Sequence, residues 1–271
     1  MSAVEPSGSV GAVSRVLIVG GGVSGLALAN GLTAAGVHVE VAERNPRTSG
    51  SAIGLWSFSI RALEQLGLKD ELLASGAISE KLENFDARGN LTKVVDYAEI
   101  PIAPGQPGQV MISRPDLAAM LDRNARARGA HIKHHVTFET VRETQDGVEV
   151  TFTDGTSGKY DLLVGADGVF STVRRDVLDI QQAPRRAANG TWQATVPNKD
   201  IAVKNPSLWS GEGFRSFQLY PSGRDRCAIS LSDILLERPP YARGGKGAGM
   251  RIADTFRCAR GQICPATRGN G

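Results

Sequence analysis

The chain is poor in the residues that staple or metallate small proteins. Three cysteines stand among its 271 residues, at Cys227, Cys258 and Cys264. An odd number forms no closed disulfide framework and the spacing suits no zinc site, so a reducing compartment is expected, which points to the cytoplasm. Histidine is also scarce: His38, His131, His134 and His135. His131 and His134 are three apart in an apparent strand and face opposite sides, as do the adjacent His134 and His135, so no metal site is expected. Neither sign of charge is in excess. With 31 Lys+Arg against 28 Asp+Glu, the net charge of +3 is too small to imply nucleic acid or an anionic membrane as partner. Without secretion, the sequons at Asn90 and Asn189 carry no meaning. At 41% hydrophobic and 22% charged, a chain of this length reads as globular, with core enough for one or two domains.

Charge is missing altogether from Val16 to Val37. A run of that length reaches across a bilayer. Six glycines between Gly20 and Gly36 argue against a span, because each costs a helix interior roughly 1 kcal/mol relative to alanine. Read as two elements the stretch makes sense. RVLIV is a short β-branched run, typical of a strand buried on both faces. GGGVSG breaks the chain, and VSGLALANGLTAA places Leu26, Ala29, Leu32 and Ala35 on one helical face. The preceding MSAVEPSGSVGAV has no basic segment and carries Glu5 and Pro6, so no signal peptide is expected.

Gly20, Gly22 and Gly25 meet the spacing G-x-G-x-x-G. The first makes the tight turn, the second lets backbone approach a pyrophosphate, and the third lets helix pack on strand. Phosphate then sits at the helix N-terminus, at Val23 and Ser24, where free N–H groups and the dipole favour negative charge. A second strand, HVEVAER, ends in Glu43, eighteen residues past Gly25. A carboxylate there accepts both hydroxyls of an adenosine ribose and repels a 2′-phosphate. Arg44 beside it lies near the adenine or in solvent. The motif alone does not separate FAD from NAD.

Further on, SAIGLWSFSIRALEQLGL reads as a glycine-containing loop and a short helix, with Ile60, Leu63 and Leu66 at helical spacing and Gly67 as its stop. KLENFDARGNLTKVVDY reads as a hairpin turning near Gly89-Asn90. SRPDLAAMLDRNARARG is a helix capped by Ser113, with Pro115 and Asp116 in its first turn, Leu117, Met120 and Leu121 buried, and Gly129 at its end. Arg114 at its start opposes the dipole, which suggests an anionic partner. Two hairpins turn at Asp146-Gly147 and Asp154-Gly155. The apolar run DLLVGADG reads as a buried central strand delivering Asp167-Gly168 at its C-terminal end, where open α/β sheets bind ligands. Ser171 and Arg174 then open a helix.

These segments resemble the single-component FAD-dependent aromatic hydroxylases, the class A flavoprotein monooxygenases of the para-hydroxybenzoate and salicylate hydroxylase type. Gly20, Gly22, Gly25 and Glu43 match the first fingerprint. Asp167, Gly168, Ser171 and Arg174 match a second, D-G-x-x-S-x-x-R, which in the family lies near the FAD and NAD(P)H pyrophosphates. Arg114, Leu117 and Leu121 match a helix whose arginine contacts FAD. AIGLW resembles the segment beside the flavin, at Gly54, and HHVTF the strand at the adenine end, at Val136. The ordered set decides for FAD over NAD. The resemblance implies cofactor contacts at Gly20, Gly22, Val23, Ser24, Gly25, Glu43, Arg44, Gly54, Arg114, Val136, Asp167 and Gly168. It implies NAD(P)H as cosubstrate and hydroxylation of a small aromatic substrate with O2. Another FAD-dependent oxidoreductase, an epoxidase or a reductase, and an inactive FAD-binding remnant are the alternatives.

The implied fold is α/β: a Rossmann-like, glutathione-reductase-type FAD-binding domain with an antiparallel β-sheet substrate domain. The expected bounds are a flexible N-terminus over 1–14, an FAD-binding domain over 15–180 with inserted hairpins near 80–110, and part of a substrate sheet over 181–236. GTWQATVP and GFRSFQLYPSGRDRCAISL resemble strands of that sheet. Many relatives have Arg after the Trp where this chain has Gln193, which weakens the case for a carboxylate-bearing substrate. The family's third motif, a GDAAH-like segment meeting the ribityl chain, is absent from the sequence. Residues 237–271 hold seven Lys/Arg, two acidic residues and seven glycines without apolar period, and are expected to be disordered through a truncation or a lost reading frame.

Overall fold

The structure, a computed structural model, describes residues 13–46, 52–100, 106–185, 189–211 and 215–234. The tail after 236, with Cys258 and Cys264, lies outside them, as does most of the N-terminal segment. In chain order the elements begin β1 (Arg15–Val19), α1 (Val23–Ala34), β2 (His38–Glu43), β3 (Ala52–Trp56), α2 (Ser57–Gln65) and α3 (Lys69–Ser75). Then come β4 (Ala77–Ser79), β5 (Lys81–Asp86), β6 (Leu91–Asp96), β7 (Gln109–Ser113) and α4 (Arg114–Ala127). The rest is β8 (His131–His134), β9 (Phe138–Thr144), β10 (Gly147–Phe152), β11 (Ser157–Tyr160), β12 (Leu162–Gly165), β13 (Asn189–Pro197), β14 (Ser207–Ser210), β15 (Ser216–Pro221) and β16 (Arg226–Ile234). Among the described residues no helix is long and apolar enough to cross a bilayer.

Contacts divide the chain into two discontinuous units, Met1–Arg47 with Leu121–Pro184 and Thr48–Met120 with Arg185–Gly271. Helix α4 begins in the second and ends in the first.

The first unit is built on a parallel sheet of order β12-β1-β2-β8. Val16, Leu17, Ile18 and Val19 of β1 are buried, as an apolar run flanked by strands on both sides must be. A three-stranded antiparallel sheet, β11-β10-β9, turns at Gly147 and Gly155, both at positive φ, where the sequence places its hairpins. Leu17, Val19, Ala42, Val136, Val150, Phe152, Tyr160 and Val173 form one apolar cluster. Burying each large side chain contributes about 1.5–3 kcal/mol.

Several expectations are corrected. β12 is not central: it is the sheet's edge among the described residues, and Leu162 is 45% exposed. An apolar run shows only that a strand tolerates burial, not how many neighbours it has. The segment at HHVTF is not a strand, since β8 stops at His134, His135 takes a positive φ of 62°, and Val136 lies in the connection to β9. The helix expected after Ser171 is a five-residue π-helical turn, Val173–Val177. On α1 the buried residues are Gly25, Leu26, Ala29 and Asn30, while Ala35 is exposed. Asn30 is fully buried because its amide donates to the Leu26 and Leu121 carbonyls at 2.8 Å each and accepts from Asn124 at 2.6 Å. Those bonds tie α1 to the C-terminal half of α4.

The second unit holds a six-stranded sheet of order β13-β16-β15-β14-β5-β6 and a small sheet of order β3-β7-β4. The hairpin expected near Gly89 is β5–β6, with Gly89 at φ 86°. AIGLW, expected as a loop, is strand β3, because Ala52 to Trp56 pair antiparallel with Ser113 to Gln109.

Replacing Asn30 with alanine removes its bonds to the Leu26 and Leu121 carbonyls and to the Asn124 amide. The expected cost is about 1–2 kcal/mol of unfolding free energy by urea titration, and a change under about 0.5 kcal/mol contradicts the role given to this network.

Candidate cofactor site

Strand β1 ends in a turn that only glycine can make. Gly20 has φ +111°, and a Cβ on it runs into the carbonyl of Ala166. A Cβ on Gly25 collides with the backbone oxygen of Gly20, which is why α1 packs so closely on the strand. At Gly22 a Cβ meets nothing within 4 Å, so the space over the second glycine is open. The three glycines thus have the three environments that their spacing predicts.

Helix α1 starts with Gly22 as N-cap, no side-chain cap and no acidic residue in its first turn. Its leading N–H groups, at Val23 and Ser24, have no intrahelical acceptor. Ser24 is exposed. The result is a positive helix end beside open space, suited to an anion.

Two carboxylates flank this turn and differ in what they have left to give. Glu43 Oε2 accepts the Gly21 N–H at 2.5 Å and Oε1 accepts the Asn45 N–H at 2.5 Å. A Cβ on Gly21 comes within 2.9 Å of the Glu43 Cβ, so the acid lies directly against the glycine turn. A carboxylate has about four acceptor positions, so two stay available for ribose hydroxyls. Asp167 has less left to give. Its Oδ1 accepts from Ser171 Oγ at 2.5 Å, and its Oδ2 accepts from Thr172 N at 2.6 Å, Thr172 Oγ1 at 2.9 Å and Val173 N at 3.1 Å. Burial raises its pKa, but these hydrogen bonds together outweigh that and hold the carboxyl below its ordinary value. Asp167 therefore organises the loop carrying Gly168, which has φ +84° and open space where a Cβ would lie. Arg174 closes the same loop by donating to the Val169 carbonyl at 3.0 Å.

The remaining predicted residues divide between the units. Val136 is buried in the first, and its N–H donates to the Glu43 carbonyl at 3.2 Å, so it steadies the strand end that bears the acid. Arg44 is exposed and makes no hydrogen bond or ion pair with the described residues. In the second unit, Gly54 pairs with Met111, and a Cβ on it would stand 2.6 Å from Gln109 Nε2. Gln109 is buried, accepts the Tyr97 hydroxyl at 3.2 Å, and presses its amide onto Gly54. Tyr97 meets Trp56 edge-on at 5.1 Å. Sequence reading missed Gln109, because only the β3–β7 register places it over that glycine. Ser113 caps α4 through the Asp116 N–H at 3.1 Å, Asp116 pairs with Arg226, and Arg114 is exposed with no partner among the described residues.

Residues 13–219 match the FAD binding domain family model. The chain belongs to this family. It is 35% identical over 222 residues to 3-amino-4-hydroxybenzoate 2-monooxygenase of Streptomyces cremeus, covering 76% of this chain and 53% of the relative. It is 29% identical over 214 residues to the FAD-dependent urate hydroxylase of Klebsiella oxytoca, covering 74% and 53%. The chain thus spans about half the length of these curated relatives. Among solved structures, a variant of Klebsiella pneumoniae HpxO complexed with FAD superposes with a TM-score of 0.74 at 25% identity, covering 85% of this chain and 60% of that one. The Rossmann-like α/β fold class is therefore the family's. The open glycine cradle, the uncapped helix end and the half-used Glu43 carboxylate fit the pyrophosphate and ribose of FAD.

Gly22→Ala is expected to leave the melting temperature within about 1 °C and to weaken FAD binding roughly tenfold, because Gly22 already has an ordinary φ of −76°. Gly25→Ala should instead lower stability by more than about 2 kcal/mol, since a backbone atom must move. Equal effects from the two variants in thermal melts and flavin titrations contradict this division. The lowered pKa of Asp167 means that its stabilising contribution is full above about pH 4 and is lost as pH falls through the folded-state value. Asp167→Asn should flatten that acid limb of the stability–pH curve.

Proposed function

We propose that this chain is the FAD-binding part, with the substrate sheet, of an NAD(P)H-dependent monooxygenase that hydroxylates a small aromatic ring with O2, working in the cytoplasm. The observation carrying the reading is the pairing of an open Gly22 cradle with a carboxylate fixed at Gly21 that keeps two acceptor positions. Both curated relatives named above are oxygenating enzymes by name, which supports carrying that chemistry over.

Each residue then has a physical task. Gly20 and Gly25 shape the turn, and Gly22, Val23 and Ser24 present backbone N–H groups to the pyrophosphate. Glu43 holds the ribose, with Arg44 beside the adenine and Val136 bracing the strand end. Asp167 and Gly168 set the loop at the strand's C-terminal end. Gly54, whose missing side chain makes room for the Gln109 amide, offers its backbone to the flavin edge, and Arg114 supplies a cation. Bound FAD supplies the transfer of electrons from NAD(P)H to O2, which no side chain here performs. The protein's contribution is to position the ring and keep water out.

The test is Glu43→Gln in the full chain. Gln offers one neutral acceptor where the acid offered several, and hydrogen bonds to a charged group contribute about 1.5–3 kcal/mol. FAD affinity by fluorescence titration should fall roughly 10- to 100-fold with the melting temperature little changed. Undiminished binding sinks the ribose role. Substrate-dependent NAD(P)H and O2 consumption distinguishes a hydroxylase from a flavin reductase, which consumes NAD(P)H without an aromatic substrate.

A further inference from the structure

Resting on that reading, the register of the six-stranded sheet narrows the substrate class. One residue from each strand falls in a single line across it. Leu91 pairs with Phe85, Phe85 with Trp209, Trp209 with Phe217, Phe217 with Leu231, and Leu231 with Trp192. The line is wholly apolar and uncharged. The row one step along, on the opposite face, is mostly polar: Asn84, Leu208, Gln218, Ser230 and Gln193. Gln193 thus faces away from the aromatic line.

Phe85 and Trp209 stack with centroids 4.8 Å apart and planes within 12°, and Trp209 meets Phe217 at 5.3 Å and 50°. Parallel rings at the spacing of neighbouring strands stand on edge relative to the sheet. They therefore present positive ring edges outward, the complement of the negative π-face of an electron-rich ring laid across them. The next row on the same face contains Ser207 and Leu219, both buried, whereas the aromatic line is only half-buried and Leu91 is 56% exposed. The line is thus the open margin of a covered face. Glu83, in that row, is paired with Lys81 at 3.1 Å, so this lysine is already engaged by an acid.

We propose that the Phe85–Trp209–Phe217 row is the surface on which the substrate ring lies, and that it selects a neutral two-ring aromatic system over a single-ring carboxylate. The three rings extend over two strand spacings, about 10 Å, more than one six-membered ring covers. Trp209 and Phe217 are specificity-determining residues in this assignment.

The experiment uses the purified full chain in saturating FAD, with 2-naphthol and 4-hydroxybenzoate as probes in equilibrium dialysis, and FAD retention measured on the same samples. The expected result is at least tenfold tighter binding of 2-naphthol. Trp209→Leu and Phe217→Leu should each weaken 2-naphthol about fivefold and leave 4-hydroxybenzoate unchanged, while Gln218→Ala on the polar face changes neither. Leu231→Arg should reverse the preference, a gain that misfolding cannot mimic. Equal affinity for the two probes, or a preference untouched by Leu231→Arg, overturns the proposal while FAD retention leaves the cofactor reading standing. FAD loss with 2-naphthol binding intact sinks the cofactor reading instead. Concentration-dependent self-association abolished by Trp209→Glu assigns the row to a second copy of the chain, and also overturns it.

Discussion

The first turn of α1 is the constraint around which the first unit is arranged. A helix of twelve residues begins with its N–H groups bare, without a capping side chain or a first-turn acid. Of the other α-helices, α4 carries a side-chain cap from Ser113, whereas α2 and α3, like α1, have none. With Gly22 as the cap, leaving α1 without a capping side chain costs only a few tenths of a kcal/mol relative to a good cap. The glycines make that bareness usable. Gly25 draws the helix onto β1 and Gly20 folds the chain back past Ala166, so the bare N–H groups open onto the space over Gly22 and not onto protein. A single side chain at either close-packed glycine would push the helix end away and spoil both the packing and the cradle.

The carboxylates extend the same logic by counting acceptor positions. Asp167 has four donors on two oxygens and can accept little more, whereas Glu43 has two. A fingerprint that treats both acids as ligand contacts conflates two tasks. One acid spends its hydrogen-bonding capacity on holding a loop, so its substitution should show first in the shape of that loop. The other is braced by backbone on both oxygens yet keeps lone pairs for a sugar, so its substitution should show first in affinity. Bracing also lowers the entropy that ligand binding must remove, because the Glu43 side chain is already fixed by Gly21 and Asn45.

Much of this was legible in the sequence because it is written in local rules. Period-two runs, Gly at Asp-Gly turns and a Ser cap at 113 give β9 to β11 and α4 without any knowledge of tertiary contacts. The glycine cradle was legible because its spacing encodes three steric demands at once. What failed depended on pairing. β3 reads as a loop because AIGLW has no alternation, and it becomes a strand only through β7. β12 reads as central because apolarity does not count neighbours. Asn30 looks like any helix asparagine until α4 is packed beside it. The aromatic line is invisible for the same reason: Phe85, Trp192, Trp209 and Phe217 sit on four different strands and fall into line only through four registers.

Arg114 carries the charge argument into the second unit. A cation at a helix start is unfavourable by roughly 0.3–1 kcal/mol, and Asp116, which could offset it two residues on, is committed to Arg226. With Ser113 already satisfying one of the leading N–H groups, the helix end remains positive and Arg114 adds to it. Each unit, considered by itself, thus starts a helix with a feature that favours negative charge, α1 by having no capping side chain or first-turn acid and α4 by placing an arginine there. The costs are individually small, a few tenths of a kcal/mol at α1 and up to about 1 kcal/mol at α4, so an anion placed at either helix end is enough to offset the cost there.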